Sequence, residues 1–320
     1  MAQGALTRRR LATLIGAGAL WSPVARGAIL MSPTASRLIP PGSSEAPYAP
    51  PTNLATVADV FRRMTAAVMV NGQGPFAFVV DTGANQSVVS DVLAMQLGLP
   101  VGPPQALNGV AGVQQAPTTV ATLKIGDRSH ADIVLSVLPA EAIGGAGILG
   151  LDRMEGQRLT LDFRRQMMRI DAQSPPSRHP DDFVLKAHRR DGQLTLVDAD
   201  LAGVKLVAFL DSGAQNTIGN MALRALAITR SPTSLWSQTP VLSATGQTIM
   251  AQMADLPRLR VGTLRLPYWP VAFADLHTFR MWNLIDRPAI LLGVDVLSRF
   301  EYVSLDFARD EVRFRLPRAS

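Results

Sequence analysis

Phe78-Val79-Val80-Asp81-Thr82-Gly83-Ala84 recurs 130 residues later as Ala208-Phe209-Leu210-Asp211-Ser212-Gly213-Ala214. In each stretch an apolar run ends at a carboxylate, followed by a hydroxyl residue, a glycine and an alanine. The repetition extends well beyond these two stretches. Lys124-Ile125-Gly126 returns as Arg260-Val261-Gly262, Ile148-Leu149-Gly150-Leu151-Asp152 as Leu291-Leu292-Gly293-Val294-Asp295, and Leu161-Asp162-Phe163 as Leu305-Asp306-Phe307. Four landmarks in one order indicate an internal duplication rather than coincidence. The offset grows from 130 to 144 along the repeat, so the second copy carries extra residues, expected within 264–287.

Within the first copy, Val68–Val70, Phe76–Val80, Thr118–Ile125 and Ile133–Val137 cluster β-branched and apolar residues between Gly, Asn and Pro, the pattern of strands. Short helical windows are expected at Asp91–Leu97 and Met221–Ala227. Turns are expected at Gly72–Gly74 and Gly203. The fold class this predicts is all-β and bilobal, two homologous β-rich lobes with short helices related by a pseudo-twofold axis. The lobes are placed at 56–173 and 190–316, joined by a polar linker over 174–189.

The N-terminal part reads differently. Thr7-Arg8-Arg9-Arg10-Leu11 precedes an apolar run to Trp21 and then small residues, so residues 1–28 form an export signal of twin-arginine type. The run is too short to span a bilayer. Residues 29–55 contain Pro33, Pro40, Pro41, Pro47, Pro50 and Pro51 among Ser and Gly, the composition of an extended spacer. The periplasm is the expected location, with no stable membrane insertion after signal removal.

Composition excludes several chemistries. The chain has no Cys, which removes disulfides, thiolate metal sites and Cys nucleophiles, and its four His have no zinc-protease spacing. The formal charge of +6 is concentrated in the signal; past residue 28 there are 27 basic and 25 acidic residues, so no nucleic-acid partner is implied. Gly145-Ala146-Gly147-Ile148-Leu149-Gly150 matches a dinucleotide-loop pattern but ends in the repeat's apolar-apolar-Gly, and the second copy lacks the upstream glycines. No G-x-S-x-G elbow is present for a serine hydrolase.

A carboxylate at the end of a buried strand is costly in its charged form. An Asp before Ser or Gly often does no more than cap a turn or helix. The same Asp in two related lobes points instead to a twofold axis that brings Asp81 and Asp211 together. Such a pair shares one proton and can hold a water between its members. The charged member then takes a proton from the water while the neutral one hydrogen-bonds an electrophilic carbonyl. Thr82 and Ser212 are placed to bond backbone across the axis. Gly83 and Gly213 let the loops turn and present N–H groups to the carboxylates, and the apolar-apolar-Gly segments lie beneath. Asp152 and Asp295 are expected at helix N-termini. Asp162 and Asp306 are expected to brace Arg165/Arg169 and Arg309/Arg313. Trp236, Trp269 and Trp282 read as local core or cleft lining.

These residues resemble the aspartic peptidases of the retroviral-pepsin clan, in which Asp-Thr/Ser-Gly is followed by apolar-apolar-Gly once per lobe. The resemblance covers about 56–316 and is nearest to bacterial exported retropepsin-like aspartic proteases, with both lobes in one chain. It implies a pepsin- or retropepsin-like fold and an aspartic endopeptidase acting on exported proteins, with Asp81 and Asp211 catalytic and Thr82, Gly83, Ser212 and Gly213 supporting them. It implies a peptide or protein substrate, a monomer, and neither metal nor organic cofactor. The turns Asn108–Gly112 and Ser243–Gln247 would be flaps over the substrate, with Gly109, Gly112 and Gly246 in them. The alternative is a non-catalytic peptide-binding or scaffold protein on the same fold. Ala84 and Ala214 stand where pepsin-like lobes often place a hydroxyl, so activity is expected nearer neutral than strongly acidic pH.

Overall fold

The computed structural model describes residues 51–317 apart from 60–61, 153, 155, 173–178, 191–192 and 231–234. The expected export signal and all but the last five residues of the spacer therefore lie outside the described residues. No helix among the described residues is long and apolar enough to cross a membrane.

The first copy runs β1 (Thr52–Ala58), β2 (Met64–Val70), β3 (Gln73–Val80), β4 (Val88–Ser90), α1 (Asp91–Gln96), β5 (Gly102–Asn108), β6 (Val113–Ile125), β7 (Arg128–Leu138), α2 (Ala140–Ile143), β8 (Gly147–Leu149), β9 (Gln157–Asp162) and β10 (Met167–Ala172). The second runs β11 (Asp182–Arg190), β12 (Gln193–Leu201), β13 (Val204–Leu210), β14 (Ile218–Gly219), α3 (Met221–Arg230), β15 (Ser237–Leu242), β16 (Thr248–Val261), β17 (Leu264–Phe273), α4 (His277–Met281), β18 (Ala289–Leu292), α5 (Val294–Leu297), β19 (Tyr302–Asp306) and β20 (Glu311–Arg315).

Each copy closes into a barrel. In the first, β2, β3, β8, β4, β7 and β6 pair in that order and β6 returns to β2. In the second, β12, β13, β18, β14, β17 and β16 repeat the circuit. β2 alternates buried and more exposed positions, as a strand with one face on a core must. The last three residues of β3 and of β13 are all buried, because each strand ends between an antiparallel and a parallel neighbour inside the barrel. The β2–β3 turn has φ 49° at Asn71 and 77° at Gly72, and the β12–β13 turn has 49° at Ala202 and 89° at Gly203. Two successive left-handed residues match the twist of a two-residue hairpin, which is why glycine recurs there.

A third, antiparallel sheet joins the barrels in the order β1, β10, β9, β19, β20, β11. The pseudo-twofold axis passes between β9 and β19, where Thr160 opposes its own repeat mate Ser304 and their hydroxyls meet at 2.8 Å. This sheet moves two boundaries read from sequence. β1 begins at Thr52, inside the expected spacer, and β11 (182–190) lies in the expected linker for all but its last residue, because each supplies an edge strand to the joining sheet. Pro-rich and polar flanks conceal both.

Three further expectations change. The extra residues of the second copy are divided: α3 has ten residues where α1 has six, and α4 lengthens the β17–β18 connection. The helix after the second apolar-apolar-Gly is α5, but no helix follows Gly150 among the described residues. Asp162 pairs with Arg165 and Asp306 with Arg309, as expected, whereas Arg169 turns to Asp171 and Arg313 to Asp182. Alternate strand residues face opposite sides, so an acid on the neighbouring strand or two residues away captures each of the latter.

Candidate active site

The loops that leave β3 and β13 meet at the axis. Asp81 N–H donates to Leu149 O and Asp211 N–H to Leu292 O, both at 3.0 Å, so each apolar-apolar segment lies directly beside its Asp loop. Gly150 and Gly293 press against backbone. A Cβ on either would stand 2.6 Å from Gln86 or Asn216 backbone, which explains glycine there.

Four hydrogen bonds tie one loop to the other. Thr82 N–H donates to Ser212 Oγ (3.1 Å) and Ser212 N–H to Thr82 Oγ1 (3.0 Å). Thr82 Oγ1 donates to Leu210 O (2.9 Å) and Ser212 Oγ to Val80 O (2.7 Å). The sequence expectation of reciprocal bonds across the axis describes this arrangement.

Asp81 Oδ1 accepts from the N–H groups of Gly83 (2.7 Å) and Ala84 (3.1 Å). Asp211 Oδ1 accepts from Gly213 and Ala214, both at 2.9 Å. Each glycine also lies flat against the opposite carboxyl: a Cβ on Gly83 would stand 2.5 Å from Asp211 Cγ, and one on Gly213 would collide with the carboxyl of Asp81. Only hydrogen fits there. Each carboxyl thus packs against the other loop's glycine, within hydrogen-bonding reach of its mate, and both line the cleft.

Burial raises the pKa of both. For Asp81 this is the largest effect, opposed by hydrogen bonds from Asp211 and the Gly83 N–H and by the charge of Arg63. Asp211 is raised well above the usual carboxylate range, first by burial and then by the charge of Asp81. A pair in which one member holds its proton while the other ionises first is what close carboxyls require.

The dyad floors a cleft of about 200 Å³ between the barrels. One wall is aliphatic, with Val88, Leu107, Leu138 and Ile148; the other carries Phe209, Ile218, Leu291 and Trp282. Trp282 packs on Phe209 with ring centroids 4.0 Å apart, so of the three tryptophans it is the cleft residue. Trp236 instead packs on Phe273, and Trp269 donates to Asp295. A wider groove of about 1390 Å³, lined by Trp269, Arg299 and Arg315 among others, does not include the dyad.

Both expected flap turns form, between β5 and β6 and between β15 and β16, and they roof the cleft by touching each other. Ala111 N–H donates to Gln247 Oε1 at 3.1 Å, and a Cβ on Gly109 would collide with Gln247 and Thr245. Gly112 and Gly246 take φ 147° and 82°, the left-handed side that their turns need. His277 N–H of α4 holds Val110 O at 2.8 Å, latching the first flap to the second barrel.

Several residues at the site are not legible in the sequence. Arg63 and Gln193 both line the cleft. They are repeat mates, but a search for like residues passes over an Arg–Gln pair. Asp152 and Asp295 accept hydroxyl hydrogen bonds from Ser87 (2.7 Å) and Thr217 (2.8 Å). Those hydroxyls in turn accept the N–H of Gly150 and of Gly293, both at 3.1 Å. Asp295 also sits in the first turn of α5, whereas no helix begins at Asp152 among the described residues; burial raises the pKa of Asp295. Ser87 follows Gln86 and Thr217 follows Asn216 at the same distance from Asp81 and Asp211, a polar–hydroxyl signal that the repeat does contain.

Residues 66–155 match the family model of the gag-polyprotein putative aspartyl protease. The matched segment holds β3 through β8, most of β2 and Asp81, and ends before the second barrel. No curated protein matches the chain.

Proposed function

We propose that this chain is an aspartic endopeptidase in which Asp81 and Asp211 share one proton and activate a water between them. The observation that carries the reading is the pair of carboxyls brought together on one cleft, each packed against the other loop's glycine. The chemistry of a carboxylate dyad then balances in two steps. The charged carboxylate takes a proton from the water, whose oxygen bonds the peptide carbon, while the carbonyl oxygen receives the proton of the neutral carboxyl. In the second step the newly protonated carboxyl passes its proton to the amide nitrogen as the C–N bond breaks. The other carboxylate recovers a proton from the gem-diol, and the pair returns to its starting state.

The apolar cleft walls suit an extended peptide with apolar side chains on both sides of the scissile bond, and the flap contacts must open to admit it. The test is cleavage of a mixed peptide library by the folded chain, with and without a pepstatin-type transition-state inhibitor. Asp81→Asn and Asp211→Asn should each abolish cleavage while leaving unfolding temperature near that of the parent. Retained turnover in either variant refutes the dyad. Inhibitor binding without cleavage would favour the peptide-binding scaffold instead.

The same reading includes export to the periplasm as a monomer. Fusing residues 1–35 to a reporter and changing Arg8 and Arg9 to Lys should block export; undiminished export would point to the general secretory route.

A further inference from the structure

The repeat relates the two halves of the cleft, but not the side chains beside the dyad. Residue 63, just before β2, has its mate 130 residues on at residue 193, the first of β12. One is Arg, the other Gln. Gln193 Nε2 donates to the carbonyl of Gly83, so it reaches across the axis to the first Asp loop. Arg63 is anchored in its own barrel. It is 8% exposed, and its guanidinium donates to Ile143 O at 2.8 Å and is gripped by Asp59 through Nε (2.7 Å) and Nη2 (2.6 Å).

Arg63 lines the cleft and Asp59 does not. The ion pair therefore presents its cation to the cleft. Among the described residues lining the cleft, the ionisable side chains are Arg63, Asp81 and Asp211. A single off-axis cation cannot act equally on two carboxyls. β2 runs antiparallel to β3 with Thr65 opposite Val79, so Arg63, just before β2, lies beside Asp81, just after β3, and its charge favours the anion of Asp81.

We propose that Arg63 is a positioning residue that breaks the twofold symmetry of the dyad, so that Asp81 carries the negative charge and takes the proton of the water while Asp211 carries the proton and hydrogen-bonds the substrate carbonyl. This rests on the peptidase reading for its consequence, but not for its test. Gln193, neutral and committed to Gly83, supplies no competing charge on the other side. Asp59 both orients the guanidinium and moderates it.

The experiment follows the carboxyl carbons of Asp81 and Asp211 by NMR in the full chain labelled with 13C-aspartate, the two signals being assigned with the Asn variants. In the parent, Asp81 should titrate below Asp211. Arg63→Gln should move the Asp81 step upward by about one pH unit, with a smaller movement at Asp211. Asp59→Asn keeps the cation, removes its moderator and should move the step downward. Arg63→Lys should stay close to the parent. In peptide cleavage the acidic limb of kcat/KM should shift in the same two opposite directions, which a merely structural role would not produce. An Asp81 step unmoved in Arg63→Gln, or moved the same way in Arg63→Gln and Asp59→Asn, overturns the proposal. Should Arg63→Gln not fold, Asp59→Asn and Arg63→Lys decide it: an unmoved step in the first, or a large shift in the second, is fatal. A folded chain that cleaves nothing yet titrates in this order would sink the peptidase reading and leave this one standing.

Discussion

Replacing Ser212 by Ala removes one oxygen at the axis where the barrels meet. Ser212 is 0% exposed and Thr82 2%, so no water can take the place of what is lost. The hydroxyl accepts Thr82 N–H at 3.1 Å and donates to Val80 O at 2.7 Å. A buried N–H left without an acceptor costs about 1–3 kcal/mol, and the lost hydroxyl bond adds about 1 kcal/mol. Ser212→Ala should therefore destabilise the chain by about 2–4 kcal/mol, read as a fall of roughly 4–10 °C in Tm. Thr82→Val keeps the shape but removes the partners of Ser212 N–H and Leu210 O, so its loss should be of the same order. The double variant should lose less than the sum of the singles, because each change loosens the loop that the other hydroxyl holds. Ser304→Ala is the control. It too lies at the axis, but its hydroxyl meets a single partly buried hydroxyl, so it should cost no more than about 1 kcal/mol. Chemical or thermal unfolding of the four variants measures this. Ser212→Ala and Thr82→Val both within about 0.5 kcal/mol of the parent would refute the claim that these bonds join the loops.

Gly83→Ala places a Cβ 2.5 Å from Asp211 Cγ, so the carboxyl must retreat by about an ångström to reach ordinary contact. Misplacement on that scale costs on the order of 100-fold in kcat/KM, with Tm falling modestly; near-native kinetics would contradict the packing argument. Because burial raises both carboxyls, cleavage should be best toward neutral pH. Changing Ala84 and Ala214 to Ser adds donors to the anionic dyad, favours its charged form, and should lower the acidic limb of the pH–rate profile by up to about one unit. An acidic optimum in the parent, or an unmoved limb in the double variant, counts against this. Gln247→Ala removes the acceptor for Ala111 N–H at the flap tips and should raise KM several-fold with little change in kcat, measured with a short peptide.

The duplication, and with it much of the site, is legible in the amino-acid order alone. Asp-Thr-Gly-Ala and Asp-Ser-Gly-Ala stand at the ends of apolar runs, and the distant apolar-apolar-Gly segments follow each. These are local requirements of strand burial, tight turning and close backbone approach, so they leave local traces in both copies. Strand-like clusters of β-branched and apolar residues mark β2, β3, β6 and β7 for the same reason. Other roles depend on something far along the chain, and there the fold is needed. β1 and β11 are strands because a joining sheet needs edges, although Pro-rich and polar flanks obscure them. Arg169 and Arg313 choose Asp171 and Asp182 because strand geometry sets their neighbours. Asp152 is a brace and not a helix cap, since Ser87 is brought to it across 65 residues. The departure from twofold symmetry at Arg63 and Gln193 is the hardest to read. A repeat shows itself through the positions that stay alike, whereas the electrostatics of the dyad depend on a pair beside it that does not.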